Sequence, residues 1–218
     1  MTTLAPDRTP PGETLRRTAV VAVLRAGSPR RLAPVAETLA EAGVLCLELT
    51  LTTPGALEAM ESLRGSLGDE VDLGMGSVRS AEEARRSLDA GAVFVVSPGF
   101  HPGVVAAARE AATPVYPGGL TPTELALAWE AGASAVKLFP ASTVGPAHLA
   151  AFHGPYPEIP VLPTGGIAVE DVGTWIRAGA IAVGLGGPLV GDALAGGDLR
   201  ALAGRARRAL EAVEGARA

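Results

Sequence analysis

The chain of 218 residues is almost without lysine. Of its 18 basic residues 17 are arginine, and Lys137 stands alone. Cysteine is as scarce: Cys46 is the single thiol. One cysteine excludes an internal disulfide and argues against a cysteine-based metal site. The three histidines, His101, His148 and His153, lie in helix or loop patterns without metal-ligand spacing. They read as surface or capping residues, so neither a metal nor a cofactor is expected. There is no basic stripe, and the net charge is −5; nucleic acid is therefore not an expected partner. Long apolar runs are missing too. Ala19-Val20-Val21-Ala22-Val23-Leu24 falls short of the roughly 7–15 apolar residues of a secretion signal, and further short of a membrane span. The expectation is a soluble, cytoplasmic protein with no membrane partner.

What is present is ordinary globular composition, 48% hydrophobic and 19% charged, with no linker between two halves. That suits one sizeable core. Residues 1–17 read as a frayed N-terminal arm or helix, and residues 18–218 as a single domain. Within that domain, short apolar, β-branched runs alternate with Ala/Leu/Glu/Arg-rich stretches. The runs are Ala19–Leu24, Val44–Leu49, Val71–Met75, Val93–Val96, Pro114–Tyr116, Ala135–Phe139, Pro160–Pro163 and Ala180–Val183. Helical patterns lie between them, many opening on Ser, Thr or Pro and closing at Ala-Gly, the expected start and stop signals. Strand and helix alternating every roughly 20–26 residues means parallel βαβ units. Eight such units predict an α/β fold, a single (β/α)8 TIM barrel. An open doubly wound sheet would carry its glycine loop after the first strand. Here Arg25-Ala26-Gly27-Ser28 follows that strand, and the glycine-rich loops come late.

In such a barrel chemistry sits at the C-terminal ends of the strands. Strand six, Ala135 to Phe139, puts Ala135, Lys137 and Phe139 on one face and Val136 and Leu138 on the other. The aliphatic face belongs to the helices, so Lys137 points into the lumen. Burying an unpaired ammonium is costly, and the neutral amine is the form that attacks a ketone. The plain alternative is a structural lysine paired with a carboxylate, a task for which arginine is better suited. On strand two the leucines face the helices, while Cys46, Glu48 and Thr50 face the lumen. Glu48 fits a general acid–base beside the lysine, or a salt bridge that holds it. Cys46 reads as a small core residue. The loops after strands seven and eight, Thr164-Gly165-Gly166 and Gly186-Gly187, expose backbone N–H groups that could cradle a phosphate. Arg25 and Ser77, at the ends of strands one and three, could hold a carboxylate; Arg25 reads equally as a solvated loop charge.

These residues resemble the 2-keto-3-deoxy-6-phosphogluconate (KDPG) and 4-hydroxy-2-oxoglutarate (KHG) aldolases. The marks are Val21-Ala22-Val23-Leu24-Arg25, Leu47-Glu48-Leu49-Thr50, Gly74-Met75-Gly76-Ser77-Val78, Ser97-Pro98-Gly99, Tyr116-Pro117-Gly118, Val136-Lys137-Leu138-Phe139-Pro140 and Pro163-Thr164-Gly165-Gly166-Ile167. The resemblance implies a class I aldolase with Lys137 as Schiff-base nucleophile and Glu48 as acid–base. It implies Ser77 at the substrate carboxylate, Pro98 and Phe139 lining the pocket, and Gly165, Gly166 and Gly186 around the phosphate; Thr164 is a further candidate for the substrate and Gly187 for the phosphate. It further implies a small-molecule keto acid substrate, a homotrimer and no metal. There are two departures. Thr52 stands where many members carry arginine, a role that Arg25 could take over. Gly187 stands where a serine commonly completes the phosphate site. The expected reaction splits 2-keto-3-deoxy-6-phosphogluconate into pyruvate and glyceraldehyde 3-phosphate. The alternatives are 4-hydroxy-2-oxoglutarate or the phosphogalactonate isomer as substrate, a phosphosugar isomerase or epimerase on the same barrel, and a barrel that only binds phosphate.

Overall fold

This computed structural model describes residues 8–218. Nine strand segments and ten α-helices alternate along it. The strands are β1 (Val20–Leu24), β2 (Cys46–Thr50), β3 (Asp72–Gly76), β4 (Val95–Val96), β5 (Val115–Tyr116), β6 (Gly118–Gly119), β7 (Val136–Leu138), β8 (Val161–Pro163) and β9 (Val183–Leu185). The helices are α1 (Glu13–Thr18), α2 (Leu32–Glu41), α3 (Ala56–Leu67), α4 (Ala81–Asp89), α5 (Pro102–Glu110), α6 (Pro122–Glu130), α7 (Pro146–Phe152), α8 (Val172–Arg177), α9 (Gly187–Val190) and α10 (Leu199–Arg217).

Every strand pair is parallel, and two joints close the ring. One run pairs β5-β4-β3-β2-β1-β9 and the other β6-β7-β8. A bridge between Thr164 and Gly184 connects β8 to β9. β5 and β6 are halves of one strand position, broken at Pro117, which has no N–H to give the ladder. Its carbonyl still accepts from Lys137 N at 2.8 Å, and Ser134 N donates to Val115 O at 3.0 Å. The nine segments thus fill eight positions, and the chain is a (β/α)8 barrel.

The strands are apolar on both faces because helices cover one and the packed lumen fills the other; all five residues of β2 are buried. Local signals start the helices. Ser80 Oγ accepts from Glu83 N ahead of α4, and Thr121 and Glu124 form a reciprocal capping box at α6. The eighth strand differs from expectation. The apolar run ends at Val183, whereas β9 begins there and passes through Gly184. A side chain at 184 would collide with Thr164, so the strand needs a residue that apolar patterning does not count.

Of the expected N-terminal arm, residues 1–7 lie outside the described residues. From Glu13 on the chain is docked rather than frayed, because Leu15 is buried and Gly12 N donates to the Tyr116 hydroxyl at 3.3 Å. The reading of the histidines as surface or capping groups is also corrected. His101 makes no side-chain cap bond at α5. His153 is half-buried and its Nε2 pairs with Ile159 O at 3.1 Å. His148 is half-buried with an Nε2 that has no hydrogen-bond partner among the described residues. His148 sits on α7 and His153 is the residue that ends it, a helix too short to show which flank it buries. Among the described residues no helix is long and apolar enough to cross a membrane.

Candidate active site

A cavity of about 470 Å³ opens at the C-terminal end of the strands. All the residues expected at the site line it: Arg25, Glu48, Ser77, Pro98, Lys137, Phe139, Thr164, Gly165, Gly166, Gly186 and Gly187.

At its base, Lys137 Nζ lies 3.8 Å from Glu48 Oε1, with the two side chains 6% and 3% exposed. Register explains the meeting. Lys137 is level with Gly118 on one side and Leu162 on the other, while Glu48 lies between Val23 and Gly74. The glycines of β3 make room, since a Cβ on Gly76 would overlap the Glu48 carboxylate. The separation exceeds a hydrogen bond, so a substrate oxygen beside the pair can contact both amine and acid. An ion pair taken out of water adds little stability, so its place among leucines and valines calls for a chemical reason. The Phe139 ring stands 5.2 Å from Nζ. Cys46, below Glu48 on the same strand face, is fully buried; burial pushes its thiol well above the ordinary range, with Asp72 and Glu48 adding to the effect. It stays a protonated core residue.

One wall comes from β1 to β3. Arg25 is exposed, and its guanidinium has no protein partner among the described residues. Its loop is tied down by threonines: Ala26 N donates to Thr53 Oγ1 at 3.0 Å, Thr53 and Thr50 hydroxyls are 3.3 Å apart, and Thr52 Oγ1 donates to Thr50 Oγ1 at 3.1 Å. Thr52 does not line the cavity; its hydroxyl supports the loop that carries Arg25. Ser77 has φ 61°, a left-handed conformation that L residues rarely adopt and that concentrates at functional turns.

The opposite wall comes from β7 to β9. Ala141 N donates to Thr164 O at 2.8 Å and Ser142 N to Gly165 O at 3.0 Å. These bonds zip the end of β7 to the end of β8 and press Phe139 against Gly165. Gly186 and Gly187 begin the single turn α9. Among the described residues no cluster of three or more His, Cys, Asp or Glu side chains is placed to hold a metal.

Residues 12–203 match the family model for KDPG and KHG aldolases. The chain belongs to the KDPG and KHG aldolase family. It is an aldolase, a carbon–carbon lyase. The 2-dehydro-3-deoxy-phosphogluconate aldolase of Treponema pallidum is 38% identical over 165 residues, covering 75% of this chain and 78% of that protein. The 2-dehydro-3-deoxy-6-phosphogalactonate aldolase of Escherichia coli is 32% identical over 171 residues, covering 78% and 83%. The KDPG aldolase of Legionella pneumophila, solved with pyruvate captured as a covalent carbinolamine intermediate, superposes with a TM-score of 0.82 at 28% identity, covering 91% of this chain and 97% of that one.

Within this aldolase barrel, sequence reasoning missed seven further lining residues: Val23, Ala26, Gly27, Val190, Gly191, Leu194 and Ala195. Val23 could have been found, since it shares a strand face with Arg25 two residues on. The others sit on a loop, on the end of α9 and on the 3-10 turn Ala193–Ala195, where no periodic pattern exists to read.

Proposed function

We propose that this aldolase splits 2-keto-3-deoxy-6-phosphogluconate through a Schiff base on Lys137. The observation that carries the reading is the buried Lys137–Glu48 pair, 3.8 Å apart at the base of the cavity. The neutral amine attacks the C2 ketone to form a carbinolamine. Loss of water gives an iminium. Glu48 takes the proton of the C4 hydroxyl, directly or through a water. The C3–C4 bond breaks, its electrons pass into the iminium, and glyceraldehyde 3-phosphate leaves. The enamine is then protonated at C3, and hydrolysis releases pyruvate and frees the lysine. Arg25 and Ser77 hold the carboxylate. Gly165, Gly166, Gly186 and Gly187 offer backbone N–H groups to the phosphate, so the two ends together set the attack geometry. The covalent pyruvate adduct of the Legionella relative supports an imine route on this barrel.

The phosphogalactonate isomer is a second reading of the same chemistry. It is supported by the E. coli relative of that name. On either reading the enzyme works as a homotrimer in the cytoplasm. The test is borohydride trapping with pyruvate followed by mass spectrometry. An adduct on Lys137 is expected; none, or one on another residue, refutes the mechanism. Lys137→Arg should abolish cleavage with the fold retained. Comparing kcat/KM on the two phosphorylated isomers and on 4-hydroxy-2-oxoglutarate decides the substrate.

A further inference from the structure

The wall that faces the phosphate end is a fragile element. α9 spans four residues, far too few for a helix to hold itself. Yet Gly187 and Val190 within it, and Gly186 and Gly191 beside it, all line the cavity. Besides buried Leu189, this turn is held by a side chain that lies outside the cavity. Arg205, half-buried on α10, donates through Nε to Leu189 O at 2.6 Å and through Nη2 to Val190 O at 2.9 Å. Two terminal carbonyls that would otherwise lack partners thus receive one rigid fork. The guanidinium lies flush against the backbone of Gly191: a Cβ there would sit 2.7 Å from Nη2, and the residue has φ 58°. No acidic side chain pairs with Arg205 among the described residues. Its charge is therefore spent on the carbonyl end of α9.

We propose that Arg205 is a positioning residue that sets affinity for the phosphorylated end of the substrate by holding α9 in place, without touching the substrate. This rests on the phosphate-end assignment made above. A general structural role fits the contacts less well. α10 packs on the barrel through buried Leu202, Ala206, Ala209 and Val213, whereas the Arg205 fork reaches α9 alone. Lysine, a point charge on a flexible stem, cannot reproduce the fork.

The experiment measures kcat and KM for 2-keto-3-deoxy-6-phosphogluconate and for unphosphorylated 4-hydroxy-2-oxoglutarate in wild type, Arg205→Ala and Arg205→Lys. Arg205→Ala should raise KM for the phosphorylated substrate roughly tenfold, the size of one lost charge-assisted hydrogen bond, and Arg205→Lys should fall between. The unphosphorylated substrate should change by less than about twofold in both kcat and KM. Inorganic phosphate should inhibit Arg205→Ala more weakly than wild type by the same factor as the KM change. Equal losses on both substrates, or no change on either, overturn the proposal. Should Arg205→Ala not fold, the same comparison in Arg205→Lys decides. A wild type indifferent to the phosphate would instead refute the phosphate-end assignment, and the role of Arg205 with it.

Discussion

At the scale of one residue, the site depends on what is left out as much as on what is placed. Glu48 can stand beside Lys137 because Gly76 contributes no side chain, and a methyl group there would occupy the space of the carboxylate. The obstruction is the far end of a flexible side chain, so Gly76→Ala should fold and turn Glu48 away from the amine. We predict a fall in kcat for cleavage on the order of 10²-fold, the cost of about 1 Å of misplacement, while borohydride with pyruvate still marks Lys137. Glu48→Gln keeps the volume and removes the base, and should lower kcat by about 10²–10⁴-fold. If Gly76→Ala cleaves substrate at the wild-type rate, Glu48 is not the proton carrier. Lys137 and Glu48 were legible in the sequence because period two in a both-sides-buried strand leaves a charge no place but the lumen. Gly76 was not legible, since a glycine shows its purpose only when the atom that fills its space is known.

Among the elements, α6 shows how a helix is started by chemistry readable in four letters. Thr121 Oγ1 accepts from Glu124 N at 3.3 Å, and the Glu124 carboxylate accepts from Thr121 N at 2.8 Å and Leu120 N at 2.9 Å. Thr121→Ala should cost about 1 kcal/mol of stability in a urea titration. The backbone N–H of Thr121, followed by that of Leu120, holds the Glu124 carboxyl below its ordinary range. An acid held low in the folded state contributes stability that is present above its unfolded pKa and lost as pH falls through the folded value. Glu124→Gln should therefore unfold at lower urea than wild type at about pH 7, and the gap should close once Glu124 is protonated in both the folded and the unfolded state. A gap that persists in acid would mean that the cap acts through shape and not charge. The elements that escaped sequence reading share the opposite property. The strand through Gly184 and the four-residue α9 each depend on a partner distant in sequence, Thr164 and Arg205 respectively, so no local period betrays them. β2 was plain for the reverse reason: its leucines alternate at the strand's own period, and all five of its residues are buried.

In the whole molecule, the lower end of the barrel is covered by α1. α1 precedes β1, with Leu15 buried, Gly12 N donating to the Tyr116 hydroxyl and Thr14 near Asp72, the first residue of β3. The last helix locks it there, as Arg217 donates to Arg17 O and Arg16 O, both at 2.8 Å. First and last helices therefore share one seam, and Asp72 sits half-buried beneath it. Burial pushes the Asp72 carboxyl up from its ordinary value, against the Thr14 hydrogen bond and the attraction of Arg64 and Arg17. An acid raised in the folded state binds its proton more tightly there than in the unfolded chain. Stability accordingly falls as pH rises from the unfolded pKa through the folded one, and above that window the full penalty is present. Asp72→Asn keeps a side-chain acceptor for Thr14 and removes the buried charge. Because desolvation outweighs the two arginines, this variant should unfold at higher urea than wild type at about pH 7, with the advantage shrinking to nothing in acid. Activity should not change, because the seam lies at the end of the barrel opposite Lys137. A variant less stable than wild type at neutral pH would mean that Arg64 and Arg17 dominate, and that the carboxylate is an anchor of the N-terminal helix rather than a strain beneath it.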